Sequence, residues 1–139
     1  MTPALFSLIR FEQFALLFLR CGLGALTCYH GYPFFIGGTA AWAEIGKVVS
    51  AIGIPFHYPV FGFLGALALF FGGMFVFIGL FSRLWSLAIG LTYTIAAISQ
   101  LQGPGGLEEA SHALALGVVF LALFILGPGR ISLDEKFFG

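Results

Sequence analysis

Three long intervals of the chain contain no charged residue, and they constrain the fold more than any motif. They run from Lys47 to Arg83, from Arg83 to Glu108 and from Glu109 to Arg130. Each interval can contain a run of about 20 apolar residues, which as an α-helix crosses about 30 Å of hydrocarbon. Only 9% of the 139 residues are charged, against about 25% in soluble domains. The sequence therefore predicts that lipid is the solvent for most of this chain.

We predict one all-α membrane domain over residues 1–139, built as an antiparallel bundle of four transmembrane helices. A backbone in hydrocarbon must pair its own polar groups, which favours helices for every span. Short breaks at Arg83 and at the QGPGG segment make the second, third and fourth helices antiparallel neighbours. The predicted helices cover residues 12–30, 58–81, 84–101 and 110–127.

The long connection between the first two helices, residues 31–57, contains a further helical pattern. Apolar residues recur near one helical face, whereas Glu44 and Lys47 fall elsewhere. The pattern predicts a short amphipathic interfacial helix over about 39–52. A plain amphipathic connector is the alternative. The apolar residues of this face are Trp42, Ile45, Val48, Val49 and Ile52.

The basic residues predict the orientation. Arg10, Arg83, Arg130 and Lys136 lie on one side of the predicted bundle, and Lys47 alone lies on the other. Because cytoplasmic loops are enriched in Lys and Arg, both termini are predicted to be cytoplasmic. The connection 31–57 then faces outward and would be the first element met by an extracytoplasmic partner. The basic residues form no cluster, which argues against nucleic acid as a partner.

An arginine interrupts the first predicted helix. Arg20 lies near the centre of that helix, where a charge costs about 2.5–3.5 kcal/mol even on the lenient insertion scale. We therefore expect Arg20 to point into the bundle near mid-depth. Polar residues repeat at seven on two helices, and glycines do so on the second helix, which predicts close helix contacts. We expect Arg20 and Tyr93 to share one level. The three stripes are Gln13, Arg20 and Thr27; Ser86, Tyr93 and Gln100; and Gly65, Gly72 and Gly79.

Three histidines, His30, His57 and His112, are predicted near the outer boundary, together with Gln100. Such a cluster can bind a metal, hold a quinone headgroup or pass protons. Histidine rings also favour the interface because they are half apolar, which is the structural alternative. No residue spacing supports a specific metal site, and a bis-histidine haem is a further alternative. The candidate polar interior site consists of Arg20, His30, Tyr93, Gln100 and His112.

Four segments of the chain resemble the DoxX family of small bacterial membrane proteins. They are LRCGLGALTCYHGYPFFIGG, WAEIGKVVSAIGIPF, GFLGALALFFGGMFVFIGLFSRLWSL and GPGRISLDE, and together they extend over about residues 16–135. The most specific matches are Arg20, His30-Gly31, Gly72-Gly73, Gly79-Leu80, Arg83, Gly127-Pro128-Gly129 and Ser132-Leu133-Asp134.

The resemblance implies a four-helix protein of the bacterial inner membrane. Some relatives are small subunits of a thiosulfate:quinone oxidoreductase, and others belong to membrane oxidoreductase complexes that handle oxidative stress. Many relatives carry a glutamate just before the Gly-Gly pair of the second helix, where this chain has Leu69. We expect Leu69 at the depth of Arg20, so relatives would bury an Arg–Glu pair that this chain lacks.

Two functions follow as hypotheses. The first is an accessory membrane subunit of a quinone-linked oxidoreductase or other membrane redox complex, without turnover of its own and with quinone as the candidate cofactor. The alternative is a non-catalytic structural or assembly protein, which packs against larger membrane subunits or recruits an extracytoplasmic partner through residues 31–57. In either case we expect assembly with other membrane chains or as a homo-oligomer.

Overall fold

The computed structural model describes residues 3–53, 57–127 and Lys136, with side chains described from Phe11 onward except those of Val48, Val49 and Ala51. These residues form helices and turns and contain no strand, which confirms the predicted all-α class. Arg130 and the closing motif at 128–134 lie outside the described residues. The elements are α1 (Pro3–Ile36), α2 (Gly38–Gly46), a 3₁₀ helix (Lys47–Ile52), α3 (Tyr58–Ile78), α4 (Ser82–Leu101) and α5 (Gly106–Leu126).

Four of these helices are long and apolar enough to cross a membrane, which confirms the predicted number of spans. Clear local signals set their ends. Pro59 occupies the first turn of α3, and Gly79 ends that helix with a φ of 79°, a conformation that glycine adopts without strain. Glu108 and Glu109 lie in the first turn of α5, where the helix dipole favours negative charge. The candidate spans are Phe11–Ile36, Tyr58–Ile78, Ser82–Leu101 and Gly106–Leu126.

The first helix is longer than its predicted range of 12–30. It begins at Pro3 and continues to Ile36, with Pro33 in its last turn. The connection to α3 therefore begins only at Gly37, and most of it is helical. The predicted interfacial helix at 39–52 is present as α2 followed by the 3₁₀ helix.

The apolar face of α2 packs against α3. The Trp42 Nε1 donates a hydrogen bond to the carbonyl oxygen of Phe34 at 3.1 Å, and its ring meets Phe63 edge-on with centroids 4.9 Å apart. Gly46 and Gly62 let the two backbones touch, because a Cβ on either would overlap a backbone carbonyl of the facing helix. On the opposite face, Lys47 and Glu44 form an exposed ion pair at 2.9 Å.

The four spans form two tightly packed pairs. We call α1 with α3 the first pair and α4 with α5 the second pair; both contacts are much more extensive than the contact between α3 and α4. In the first pair, the Gly24 and Gly73 backbones touch. In the second pair, Gly90 lies against Leu121 and Gly117 lies against Thr94.

The predicted glycine stripe of α3 does not form a line of close backbone contacts. Gly72 faces the side chains of Trp85 and Ile89, Gly65 meets only the Thr92 methyl group at 3.7 Å, and Gly79 caps the helix. The α3 glycines that touch the backbone of a facing helix are instead Gly62 and Gly73. A repeat of seven does not single out these two positions.

The core fills the space between the pairs. Its fully buried side chains include Val76, Ile89 and Phe120, with Leu69 and Tyr93 in the same cluster. The bundle has two ends, which we name by their charged residues. At the Arg83 end, the α3–α4 turn meets the end of α5, where the Arg83 guanidinium packs against Gly127. The Glu108 end carries α2 and the α4–α5 turn.

Candidate functional site

A cleft of about 290 Å³ opens between α1, α4 and α5. It contains two of the three histidines of the chain together with the one tyrosine of α4. We call it the histidine cleft. Its lining residues are Leu26, Thr27, Tyr29 and His30 from α1, Tyr93 from α4, and His112 and Leu116 from α5.

Two buried hydroxyl groups form the inner wall of the histidine cleft. The side chains of Tyr93 and Thr27 both line this wall, and they are only 7% and 2% exposed. The Tyr93 ring stacks on Phe120 with centroids 6.1 Å apart and an angle of 18° between the rings. Packing therefore fixes the position of the Tyr93 ring at the inner wall.

The two imidazoles lie at the mouth of the cleft. His30 and His112 are both exposed, and the His30 ring meets Phe34 edge-on with centroids 5.7 Å apart. Thr27 and His30 are three residues apart, and His112 and Leu116 are four apart, so each pair shares one helix face. Helical spacing therefore places the Thr27 hydroxyl beside the His30 imidazole on α1, and the packing of the bundle brings the His112 imidazole of α5 to the same cleft.

The histidine cleft lies deeper than the predicted helix ends imply. His30 is six residues before the last residue of α1, and His112 is six residues after the first residue of α5. At a rise of 1.5 Å per residue, each lies about 9 Å inside its helix end. The prediction placed His30 at the end of the first helix, and the extension of α1 to Ile36 corrects this.

Two other predicted members of the cluster do not line the cleft. His57 precedes α3 as an exposed residue in the left-handed conformation, with a φ of 59°. Gln100 is half-buried on α4, two helical turns beyond Tyr93, and its Oε1 has no hydrogen-bond partner among the described residues. The site is therefore smaller than the predicted set.

Arg20 is inside the bundle, as predicted, but not at mid-depth. Its side chain is 3% exposed and takes part in interactions with other groups. The neighbouring Cys21 Sγ lies 3.7 Å from the carbonyl oxygen of Phe77, one residue before the end of α3. Arg20 therefore lies at the Arg83 end of the bundle. The prediction that it shares a level with Tyr93 is wrong, because Tyr93 lines the same cleft as Thr27, which lies about 10 Å farther along α1.

Leu69 is also not at the depth of Arg20. A Cβ on Gly31 would lie 2.6 Å from the Leu69 Cβ, so these two residues are level. Gly31 is eleven residues from Arg20, or about 16 Å along α1. A glutamate at position 69 would therefore lie near the depth of the histidine cleft and could not pair directly with Arg20. This geometry therefore argues against the expected Arg–Glu pair.

The described part of the chain offers the cleft no carboxylate. Glu12, Glu44, Glu108 and Glu109 are all exposed and outside its lining. Within residues 3–53 and 57–127 there is also no group of three or more histidine, cysteine or acidic side chains placed to hold a metal ion. The cleft supplies imidazole nitrogens, hydroxyl groups and apolar walls, which suit a neutral ligand with hydrogen-bonding oxygen atoms.

Thr27 is the site residue that the predicted set omitted. Two sequence signals pointed to it, namely its spacing of seven from Arg20 and of three from His30. Comparison of the chain with protein-family models, with curated proteins and with solved structures gives no match.

Proposed function

We propose that this chain is a DoxX-like integral membrane subunit, accessory to a quinone-linked oxidoreductase, and that it holds the quinone headgroup in the histidine cleft. The proposal places it in a bacterial inner membrane with both termini in the cytoplasm. The observation that carries it is the meeting of His30, Tyr93 and His112, from three helices, around one cleft. The resemblance of Arg20, His30-Gly31 and Gly72-Gly73 to DoxX sequences supplies the redox context.

The chemistry of the cleft matches a quinone ring. A quinone is neutral and has two carbonyl oxygen atoms that accept hydrogen bonds, and imidazole N–H groups can donate them. The volume of 290 Å³ is near the lower limit of about 300 Å³ for small-molecule pockets. The cleft therefore has room for the ring but not for a long isoprenoid tail, which would lie among the lipid chains.

The accessory role follows from what the cleft residues can supply. Thr27, His30, Tyr93 and His112 can bind and orient a quinone, and the imidazoles can accept or donate protons. None of these side chains is an electron donor for a quinone. In this proposal a partner subunit supplies the electrons, and this chain holds the quinone headgroup.

Quinone binding by the purified chain in lipid nanodiscs tests this proposal. We would titrate a short-tailed benzoquinone and a short-tailed naphthoquinone into the parent protein, His30→Leu and His112→Leu. Each substitution removes one hydrogen bond worth about 1 kcal/mol, so affinity should fall about fivefold. The matched control is His57→Asn, which removes a histidine outside the cleft and tolerates the left-handed backbone. Equal affinities in all four proteins would reject the cleft as the quinone site.

A specific observation also supports an assembly role. Trp42 of α2 packs against α1 and α3, and the charged residues Glu44 on α2 and Lys47 at the start of the 3₁₀ helix are exposed on the opposite side. They present an exposed charged surface at the Glu108 end, suited to an extracytoplasmic partner. The test is a double variant, Glu44→Lys with Lys47→Glu, which reverses both charges. If this variant loses a partner that co-purifies with the parent, and the parent binds no quinone, the second function is favoured. Retention of the partner in that variant would argue against it.

A further inference from the structure

A second cavity, an apolar groove of about 570 Å³, lies between α1 and α3 on the outer surface of the bundle. We call it the α1–α3 groove. No charged side chain lines it, and in a membrane it is open to lipid because Met74 and Phe77 on its α3 side are exposed. It shares a single lining residue, Tyr29, with the histidine cleft.

Small residues of α1 make the α1–α3 groove concave. The Gly24 backbone touches that of Gly73, so the two helices are closest where Gly24 lines the groove. Ala25 adds little bulk on the α1 side, whereas Phe70 and Phe77 form the α3 side. A depression of this kind forfeits dispersion contacts unless another molecule fills it. Its shape and its apolar lining suit a flexible hydrocarbon chain.

Tyr29 separates the groove from the histidine cleft on the outer surface of α1. Its side chain is 81% exposed and lines both cavities. Ala25 and Gly22 lie four and seven residues before Tyr29, so the three residues share one helix face. Both small residues are exposed, and a Cβ added to Gly22 would have nothing within 4 Å. The surface of α1 is therefore low beside Tyr29, which leaves a path for a chain from the cleft to the groove.

The groove also leads from the cleft towards the membrane centre. The cleft residue His30 lies about 9 Å inside the end of α1 that is nearer one membrane surface. Gly24 of the groove lies six residues before His30, or about 9 Å farther from that surface. Because the hydrocarbon layer is about 30 Å thick, a chain that follows the groove from the cleft reaches mid-membrane.

We propose that the α1–α3 groove holds the first part of an isoprenoid tail whose quinone ring lies in the histidine cleft, so that this chain binds a long-tailed isoprenoid quinone. The position of the ring rests on the proposed function. The cleft itself, at about 290 Å³, has no room for such a tail. The groove offers the tail two aromatic side chains, Phe70 and Phe77, and the adaptable side chain of Met74.

The expected preference for a tail is modest. Lipid chains are as apolar as the groove, so a tail gains no hydrophobic free energy when it leaves them. It gains only dispersion contacts, which are small singly but add up over a well-packed chain. We therefore expect a long-tailed quinone to bind about tenfold more tightly than a short-tailed quinone with the same ring.

Titration of these two quinones into the purified chain in lipid nanodiscs tests the proposal. Concentrations are expressed as quinone per lipid, so that partition of the tail into the membrane cancels. The variant Ala25→Phe fills the groove from an exposed position, where the larger side chain need not displace the core. The matched control is Ala15→Phe, at an exposed position of the same helix outside both cavities.

We expect Ala25→Phe to abolish the tenfold preference for the long tail and to leave the affinity for the short-tailed quinone unchanged. Ala15→Phe should keep the preference of the parent. An equal preference in the parent and in Ala25→Phe would overturn the proposal. A fall in affinity for both quinones in Ala25→Phe would also overturn it, because the substitution would then act on the ring and not on the tail.

Photoreactive groups at two places on the long-tailed quinone locate its parts separately. A group in the first part of the tail should attach to residues 70–78 of α3, and a group on the ring should attach to residues 112–116 of α5. Excess long-tailed quinone should block both attachments. Attachment of the tail group that excess quinone does not reduce would overturn the proposal, because the groove would then be open to any lipid chain.

The tail site and the proposed function can fail separately. If His30→Leu weakens binding of the short-tailed quinone but the parent shows no preference for the long tail, the proposed function stands and the tail site is rejected. If Ala25→Phe abolishes the preference but His30→Leu and His112→Leu bind like the parent, the tail site stands and the cleft is rejected as the ring site. Absence of binding of either quinone by the parent would reject both.

Discussion

The contact between Gly24 and Gly73 gives the sharpest test of how α1 is positioned. A Cβ on Gly24 would lie 2.7 Å from the Gly73 carbonyl oxygen and 2.8 Å from the Phe77 nitrogen. Both contacts are with backbone, which cannot rotate away as a side chain can. Restoring an ordinary contact of about 3.4 Å requires α1 and α3 to separate by roughly 0.7 Å, and overpacking of this kind costs about 1–3 kcal/mol.

The matched control is Gly22→Ala, two residues away on the same helix, where an added Cβ has nothing within 4 Å. Alanine favours a helix over glycine by about 1 kcal/mol, and both variants gain this. The difference between Gly24→Ala and Gly22→Ala therefore isolates the steric cost. We expect Gly24→Ala to be less stable than Gly22→Ala by about 1–3 kcal/mol.

Reversible unfolding in mixed detergent micelles measures this difference. Equal unfolding free energies for Gly24→Ala and Gly22→Ala would refute the reasoning, because the two helices would then not be in backbone contact at this point. Such a result would also contradict the alignment of α1 with α3 along the bundle, on which the depths of Arg20 and Leu69 depend.

Three further outcomes are expected. A spin label on Cys21 should lie closer to the membrane surface than one at Tyr29→Cys, as measured by the accessibility of each label to oxygen and to a nickel chelate. The reverse order would contradict the placement of Arg20 at the Arg83 end. Trp42→Phe should lower the free energy of unfolding by about 1 kcal/mol, because one hydrogen bond is lost. An unchanged free energy of unfolding would argue against the contact of α2 with α1. Leu69→Glu should destabilise the bundle by about 3 kcal/mol or more, because a carboxylate buried in the core has no charged partner there; wild-type stability would mean that Arg20 reaches it.

The sequence predicts much of the architecture because the solvent is so restrictive. Intervals without charge fix the number of spans, and the Pro-Gly break at 102–106 and the turn at Arg83 fix their connections. The interior position of Arg20 follows from the cost of exposing a charge to lipid. That His30 and His112 lie towards the same end of the bundle follows from the antiparallel order of the helices, although both lie about 9 Å inside their helix ends.

Depth along the helices could not be predicted in the same way. The apolar run of the first helix centres near residue 21, but its register is set by contacts of Gly24 and Gly31 with α3. Those contacts depend on tertiary packing, as does the close approach of Gly46 and Gly62 that folds α2 onto α3. This register places Arg20 nearer one end of the bundle, and the histidines nearer its middle, than the sequence predicts.

Mapping the attachment site of a photoreactive quinone tests the central claim most directly. The chain offers a competing site, an apolar groove of about 570 Å³ between α1 and α3 that includes Phe70, Met74 and Phe77. We expect labelling, blocked by excess quinone, on residues 26–30 and 112–116. Labelling of residues 70–78 instead, or attachment that excess quinone does not reduce, would contradict the assignment of the histidine cleft as the quinone site.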